Sequence, residues 1–351
     1  MKTIYNLIFS AFLLLPLSAI GSESNDSKEF NASEMILHHI ADAHEWHFWG
    51  EGENSFSLPL PVILWTDKGI VAFMSGVFHH DNEGKEVFNY NGSNFIRHHE
   101  KIYELNQGDH SAFFDDNNHI VNGVMPLDFS ITKNVASMFI SVFLMLFIFL
   151  GITKRYKKGP AAPKGFQSLI EPIIIFIRDD IAIPNVGIKH AYRFMPYFLT
   201  VFFFIWINNL LGLFPGGANF TGNIAVTLVL AFITMLLTNI NGNKHYWGHI
   251  FWMPGVPLPI KPLLALIEIA GVFIKPVALM IRLFANITAG HIIILSLLSL
   301  IFIFKSLALA PVSVGIVLFM NCLELLVAVL QAYIFTLLSA LFIGMAVSEE
   351  H

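Results

Sequence analysis

Long uncharged runs separated by short polar connections dominate residues 134–347, whereas residues 22–130 mix polar and apolar positions throughout. About 20 apolar residues are needed to cross a ~30 Å hydrocarbon core. Residues 134–153 carry no charge and form the first predicted span. The cluster Lys154-Arg155-Tyr156-Lys157-Lys158 follows at once. Positive residues stay on the cytoplasmic side, so this helix is predicted to run from outside to inside. Residues 166–181 place Leu169, Ile170, Ile173, Ile174 and Ile177 at helical spacing, with Glu171, Arg178, Asp179 and Asp180 among or after them. That is the pattern of a short amphipathic helix on the cytoplasmic interface. Residues 194–214 are predicted to span back outward and stop at Pro215-Gly216-Gly217, and residues 223–240 to return to Asn243-Lys244-His245. The short connection makes these two an antiparallel hairpin. A cytoplasmic loop rich in Trp and Pro, 247–262, leads into the last part.

The last two runs, 275–305 and 312–347, are too long to stand upright. At 1.5 Å per residue they make helices of ~46 and ~54 Å, against a ~30 Å core. Membrane helices tilt by ~20° on average and rarely beyond ~40°. A steeply inclined helical hairpin or broken helices are the two solutions, and no proline lies deeper than Pro276, which favours inclined helices. Such a hairpin packs poorly against lipid chains and requires a protein partner with a curved or flat face. The predicted fold is an all-α polytopic membrane protein with about five membrane helices. It includes the steeply inclined C-terminal hairpin, an interfacial amphipathic helix and an exported N-terminal extension of β or irregular character.

The first residues read as a signal peptide, 1–21: Lys2, an apolar stretch over 7–17, and the small-x-small site Ala19-Ile20-Gly21. An uncleaved signal anchor is the alternative, and both export residues 22–130. That extension has β-like runs at 57–65 and 69–77, broken by Asp67-Lys68-Gly69, then the turn cluster Asp81-Asn82-Glu83-Gly84. It holds ten of the fifteen histidines, with pairs at His38-His39, His79-His80 and His98-His99. Adjacent side chains point apart on helix and strand, so a pair is a poor chelate. His44 and His47, at i, i+3, could share a helical face. These histidines are read as solvated surface residues rather than a metal site.

Composition agrees with the pattern. Only 13% of residues are charged and 55% are hydrophobic, where a soluble domain has about 25% charged. A net charge of −5 is too small to imply a nucleic-acid partner, and the single Cys322 excludes a disulfide framework. The polar residues within the last two runs are few: Arg282, Asn286, Thr288 and His291, then Asn321, Glu324, Gln331 and Tyr333, besides serines. A charge at the bilayer centre costs at least ~2.5–3.5 kcal/mol, so Arg282 reads as functional. Pairing with Glu324 as structural glue is the bland alternative. Arg282 and Asn286 share a helical face, and His291 points roughly opposite. The amides Asn286 and Gln331 read as functional ahead of the alternative of interhelical glue, whereas Asn208 and Asn209 near the outer end of 194–214 fit both readings equally.

These residues resemble one family: subunit a of the F-type ATP synthase membrane sector. Carrying the resemblance are Lys275-Pro276-Val277, Arg282-Leu283-Phe284-Ala285-Asn286, Ala289-Gly290-His291, Glu324, Gln331-Ala332-Tyr333-Ile334-Phe335 and the terminal Ser348-Glu349-Glu350-His351. Upstream, Asn209-Leu210-Leu211-Gly212-Leu213-Phe214-Pro215 and residues 221–227 are similar to the family's hairpin. The resemblance covers roughly residues 130–351, and the implied membrane domain is 131–351. It implies a non-catalytic, cofactor-free and metal-free stator subunit, multi-pass in the bacterial inner membrane. Its implied partners are a rotating ring of c subunits, each with one carboxyl group, and the peripheral-stalk subunit b. Arg282 would separate two offset proton half-channels, with His291, Glu324, Asn286 and Gln331 along the path. Gln331 would orient the arginine, and Asn208, Asn209, Thr221, Asn223 and Tyr333 would line the channel.

Two departures stand out. Many bacterial members carry an acid where His291 stands and a histidine where Glu324 stands; the exchanged pair resembles the mitochondrial type and keeps a His–carboxylate couple. Ala225 stands where some members have asparagine. A secondary transporter with Arg282 as an anion clamp is the competing reading, though no internal repeat supports it. A membrane enzyme using His291 and Glu324 as acid and base is a third, with no nucleophile or metal motif beside them.

Overall fold

A computed structural model of the chain describes residues 36, 40–49, 56–116, 118–157, 162–214, 216–304 and 310–348. The signal peptide, the His38-His39 pair and residues 349–351 lie outside them. The chain divides into two compact units, one of residues 1–139, 211–218 and 291–321, the other of 140–210, 219–290 and 322–351.

The extension in the first unit is built of strands. β1 (Glu45–Trp49) pairs with β2 (Phe56–Pro59). A three-stranded sheet has the order β4-β3-β9, from β3 (Pro61–Thr66), β4 (Gly69–Met74) and β9 (Leu127–Asp128). A four-stranded sheet has the order β5-β6-β7-β8, from β5 (Phe88–Tyr90), β6 (Ser93–His98), β7 (Lys101–Leu105) and β8 (Gly123–Val124). The predicted run 57–65 is therefore two strands that part at Leu60 and join different sheets. Val62, Leu64 and Val71 from one sheet and Phe95 and Ile102 from the other close a core around Phe78. The Asn91-Gly92 and His99-Glu100 pairs have positive φ at both positions, the backbone of tight two-residue hairpins.

The histidines depart from expectation in three ways. His44 and His47 share no helix, because His47 lies in β1 and His44 just precedes it. His44 and His98 are buried rather than solvated. The rings of His98 and His99 lie 4.1 Å apart, since His99 takes a left-handed turn conformation (φ 48°) that folds it back over its neighbour. Among the described residues no group of three or more His, Cys, Asp or Glu is placed to hold a metal.

His44 ties the extension together. Its Nδ1 meets the Glu100 carbonyl at 3.0 Å and its Nε2 meets Asp128 Oδ2 at 2.6 Å. Burial pushes the Asp128 carboxyl up, but hydrogen bonds from His44 and from the Ser130 hydroxyl and N–H outweigh it, and the carboxyl ends below its ordinary value. A depressed carboxyl adds stability above the unfolded value of ~3.9, and that stability is lost as pH falls through the folded value. Protection factors of the β3 and β9 amides, measured against the intrinsic exchange rate at each pH, should thus fall on acidification below about pH 4. In Asp128→Asn, protection should start lower at neutral pH and respond less to acid. An unchanged acid response in that variant would remove Asp128 as the cause.

The second unit is helical. α1 (Lys133–Tyr156) begins in the first unit and continues into it. Then come α2 (Gln167–Phe176), a π-helical segment (Ile177–Ala182), α3 (Ile183–Val186) and α4 (Ile188–Gly212). α5 (Ile224–Ile240) and α6 (Lys244–Phe251) meet at a 103° bend. The Asn243 side chain caps α6 by accepting from the Tyr246 N–H, so part of the predicted loop 247–262 is helix. α7 (Lys261–Phe304) and α8 (Ala310–Val347) follow, with residues 291–304 of α7 and 310–321 of α8 belonging to the first unit. Among the described residues, four helices are long and apolar enough to cross a membrane, five if the bent pair counts as one span. Both final helices outrun prediction. α7 has 44 residues and α8 has 38, or ~66 and ~57 Å. α7 starts 14 residues before the predicted run 275–305 and takes in Glu268.

α4 and α5 form the predicted antiparallel hairpin, held at its open end by Arg193 donating to Asn241 at 2.8 Å. The buried face of α5 is Thr227, Ala231, Thr234 and Thr238. Small side chains there let backbones approach and hydroxyls bridge helices: Thr234 bonds Tyr197 of α4 at 2.6 Å and Ser339 of α8 at 3.4 Å. The α2–α3 segment, predicted as an interfacial helix, packs Phe176 against Tyr333 and Asn185 against Gly344 of α8.

Candidate functional site

Two contacts fix how α7 meets α8 within the second unit. Lys275 lies over the Phe342 ring, and Gly290 faces Glu324, whose Oε1 would stand 3.0 Å from a Cβ added at the glycine. Position numbers rise along one helix as they fall along the other, so the helices run antiparallel. Interpolating between those contacts puts Arg282 level with the stretch of α8 that holds Gln331 and Tyr333.

α7 buries Leu279, Leu283 and Ile287 at four-residue spacing. Arg282 and Asn286 fall outside that stripe, and both are exposed, together with Ala285 and Ala289. The Arg282 guanidinium makes no hydrogen bond or ion pair with the described residues, Gln331 included. The orienting bond expected from Gln331 is therefore not made in the chain by itself; Gln331 is buried in α8. Nor does Arg282 pair with Glu324, which is buried against Gly290. The arrangement is a permanent cation on an outward face of small residues, beside a helix that holds its own carboxylate inward.

His291 follows Gly290 along α7. In the first unit its Nε2 approaches the Gly212 carbonyl at 3.2 Å, which fixes the ring at the end of the 211–218 segment. Tyr333 is half-buried, its ring 5.7 Å from Phe176.

The expected channel-lining residues of the hairpin are taken up by hydrogen bonds within the protein, and Asn209 and Thr221 bond each other. Asn208 donates to Ser141 Oγ at 2.9 Å and to the Phe204 carbonyl at 2.8 Å. Asn209 donates to the Ala328 carbonyl at 3.3 Å and accepts from Thr221 at 2.6 Å. All three are buried. Asn223 is the N-cap of α5, accepting from the Ala225 N–H at 2.9 Å. Thr288 of α7 reaches the Gly222 carbonyl at 3.4 Å. These groups hold α1, α4, α7 and α8 around the start of α5.

Sequence reasoning passed over Ser141, Tyr197, Thr234, Ser339 and the helix-contact glycine Gly344, and it gave Gly290 no contact with Glu324. The threonines were findable, since Thr227, Thr234 and Thr238 recur on one face of an otherwise apolar run. A glycine's neighbour on another helix leaves no such trace.

A family model described as ATP synthase A chain matches residues 135–344, and one described as a domain of unknown function (DUF8433) matches residues 35–129. The gap between the two falls where β9 gives way to α1. ATP synthase subunit a of Chloroherpeton thalassium is 50% identical over 229 residues, which cover 64% of this chain and 68% of the relative. ATP synthase subunit a 2 of Chlorobaculum tepidum is 47% identical over 236 residues, covering 65% and 66%. ATP synthase subunit a of Myxococcus xanthus is 42% identical over 229 residues, covering 64% and 75%.

Proposed function

Because the chain belongs to the ATP synthase A chain family, we propose that it is the proton-translocating stator subunit of an F-type ATP synthase, working against a ring of small carboxylate-bearing subunits. The observation that carries the reading is Arg282, a cation exposed on a helix apolar enough to span a membrane and, among the described residues, without a counter-charge. Such a charge costs at least ~2.5–3.5 kcal/mol in lipid, and a carboxylate from a partner removes that cost.

The division of labour follows from the side chains. Guanidinium keeps its proton and so relays none. Placed between two water-filled half-channels, Arg282 blocks direct proton passage. Facing a ring carboxyl, it favours the ionised form and drives proton release. Ala285 and Ala289 leave room for a ring helix to come close. His291 and Glu324 belong to the inlet, because imidazole takes and gives protons near neutral pH, and a His–carboxylate couple suits protons over sodium. Asn286 lies beside Arg282 on the same face and Gln331 at the same level of α8, where each reaches the arginine once the ring is in place. Each proton crossing 100 mV supplies ~2.3 kcal/mol, so several must be coupled to one ATP.

The basic residues after α1 put its end in the cytoplasm, with residues 1–21 as a signal peptide, 22–130 outside the inner membrane and 131–351 as the membrane domain. Subunit b is the further partner that holds such a stator still. The test is purification of the tagged chain from mild detergent. A ring of very small, carboxylate-bearing proteolipids should come with it. A chain that is pure, folded and free of such proteolipids would overturn the reading in favour of a transporter.

A further inference from the structure

The β4-β3-β9 sheet is apolar on both faces. One face closes the core through Val62, Leu64 and Val71. On the other, the strand register sets Ile70, Trp65 and Leu127 side by side. Met74 stands at the far end of β4, and Phe129 extends the β9 edge by donating to the Ile63 carbonyl at 2.8 Å. These five side chains are exposed by 71, 57, 66, 47 and 61% in that order. A solvated antiparallel sheet alternates apolar-in and polar-out. Here no outward position within 61–65, 70–74 or 127–131 bears a charge. An apolar surface of that extent marks a binding face.

What covers it follows from where the strand leads. Past Phe129, Ile131 donates to the Pro61 carbonyl at 3.0 Å, and Lys133, two residues on, donates to the Ala43 carbonyl at 2.9 Å as it opens α1. The ladder therefore runs to within two residues of a candidate membrane span. Leu127 lies six positions before that helix, no more than ~20 Å of extended chain. The apolar face is continuous along the chain with the exposed surface of α1, which begins with Phe139 and Ile140. Tryptophan is also the residue enriched where protein meets headgroups.

We propose that this sheet face rests on the lipid interface of the leaflet at which α1 begins, with Trp65 at headgroup depth and Ile70, Leu127 and Phe129 among the upper acyl carbons. The extension would then act as a foot that sets the height and rotation of α1. The proposal does not rest on the ATP synthase reading, since it needs only the membrane-inserted chain.

The test uses the full chain with Cys322→Ser, carrying one new cysteine at Ile70→Cys, Leu127→Cys or the exposed control Glu86→Cys. Each is labelled with an environment-sensitive fluorophore and reconstituted in phosphatidylcholine–phosphatidylglycerol vesicles. Blue-shifted emission at 70 and 127, lost when lipid brominated near the headgroup is included, with neither effect at 86, is the expected result. Water-like emission at 70 and 127 would overturn the proposal. Blue-shifted emission that brominated lipid leaves intact would overturn it too, because another protein surface would then cover the face.

Discussion

Arg282→Lys is expected to reduce proton-driven ATP synthesis and ATP-driven proton pumping to background while the chain still inserts and assembles. The substitution preserves formal charge, which makes it more informative than alanine. Lysine carries a compact ammonium that gives up its proton when desolvated, whereas guanidinium keeps its own. Arg282 is exposed on a face with Ala285, Asn286 and Ala289, so the substitution removes no buried packing and leaves folding unaffected. Inverted vesicles would report the outcome through a pH-sensitive dye, with subunit recovery measured in parallel. Pumping at the parental rate in Arg282→Lys would end the idea that this residue separates two half-channels. Loss of pumping together with loss of assembly would mean that the residue is structural.

Gly344→Val is expected to be the most damaging substitution for stability. A Cβ at this position would run into the Asn185 carbonyl, which is backbone and cannot rotate away. Both sides of the contact are held: Asn185 donates to the Ile181 carbonyl at 2.7 Å, and Asn243 bonds the carbonyls of Ala346 and Ser348 at 2.9 and 2.6 Å. Forcing atoms into such a junction costs about 3 kcal/mol. The folded chain should be scarce in membranes and melt lower in detergent. Gly315→Val in the same helix meets open space and should behave as the parent does. Equal melting of the two variants would show that the close approach at Gly344 is not required.

Much of the membrane part was legible because its physics is one-dimensional. An uncharged run of sufficient length is a span wherever it packs, so 134–153 became α1 and 223–240 became α5 nearly residue for residue. The start of α7 was misjudged because charge was read as a boundary. Lys275 opens the predicted run, yet the helix extends back through Glu268 to Lys261. Arg282 was legible as an expensive residue in the wrong solvent. The roles of Asn208, Asn209 and Thr221 were not, since an amide bonded to a partner helix and an amide lining water read alike in sequence. The extension was harder still. Its strands depend on long-range pairing, as when Leu127 joins Trp65 across 62 positions of chain, and its histidines owe their burial or exposure to turns that spacing alone does not specify.

The hydrogen bonds at the start of α1 bear on anyone who would trim this chain. A helix leaves its first N–H groups without internal acceptors, and here those of Lys133 and Asn134 are met by the Ala43 carbonyl and Asp42 Oδ1, about ninety residues upstream. The extension is therefore the lid on the first membrane helix. A shortened protein beginning near residue 131 would keep only the weak Thr132 hydroxyl contact to the Val135 N–H, at 3.5 Å. Grafting a serine or aspartate cap at that cut would be the minimal repair, and the two matched segments are better regarded as one unit for engineering.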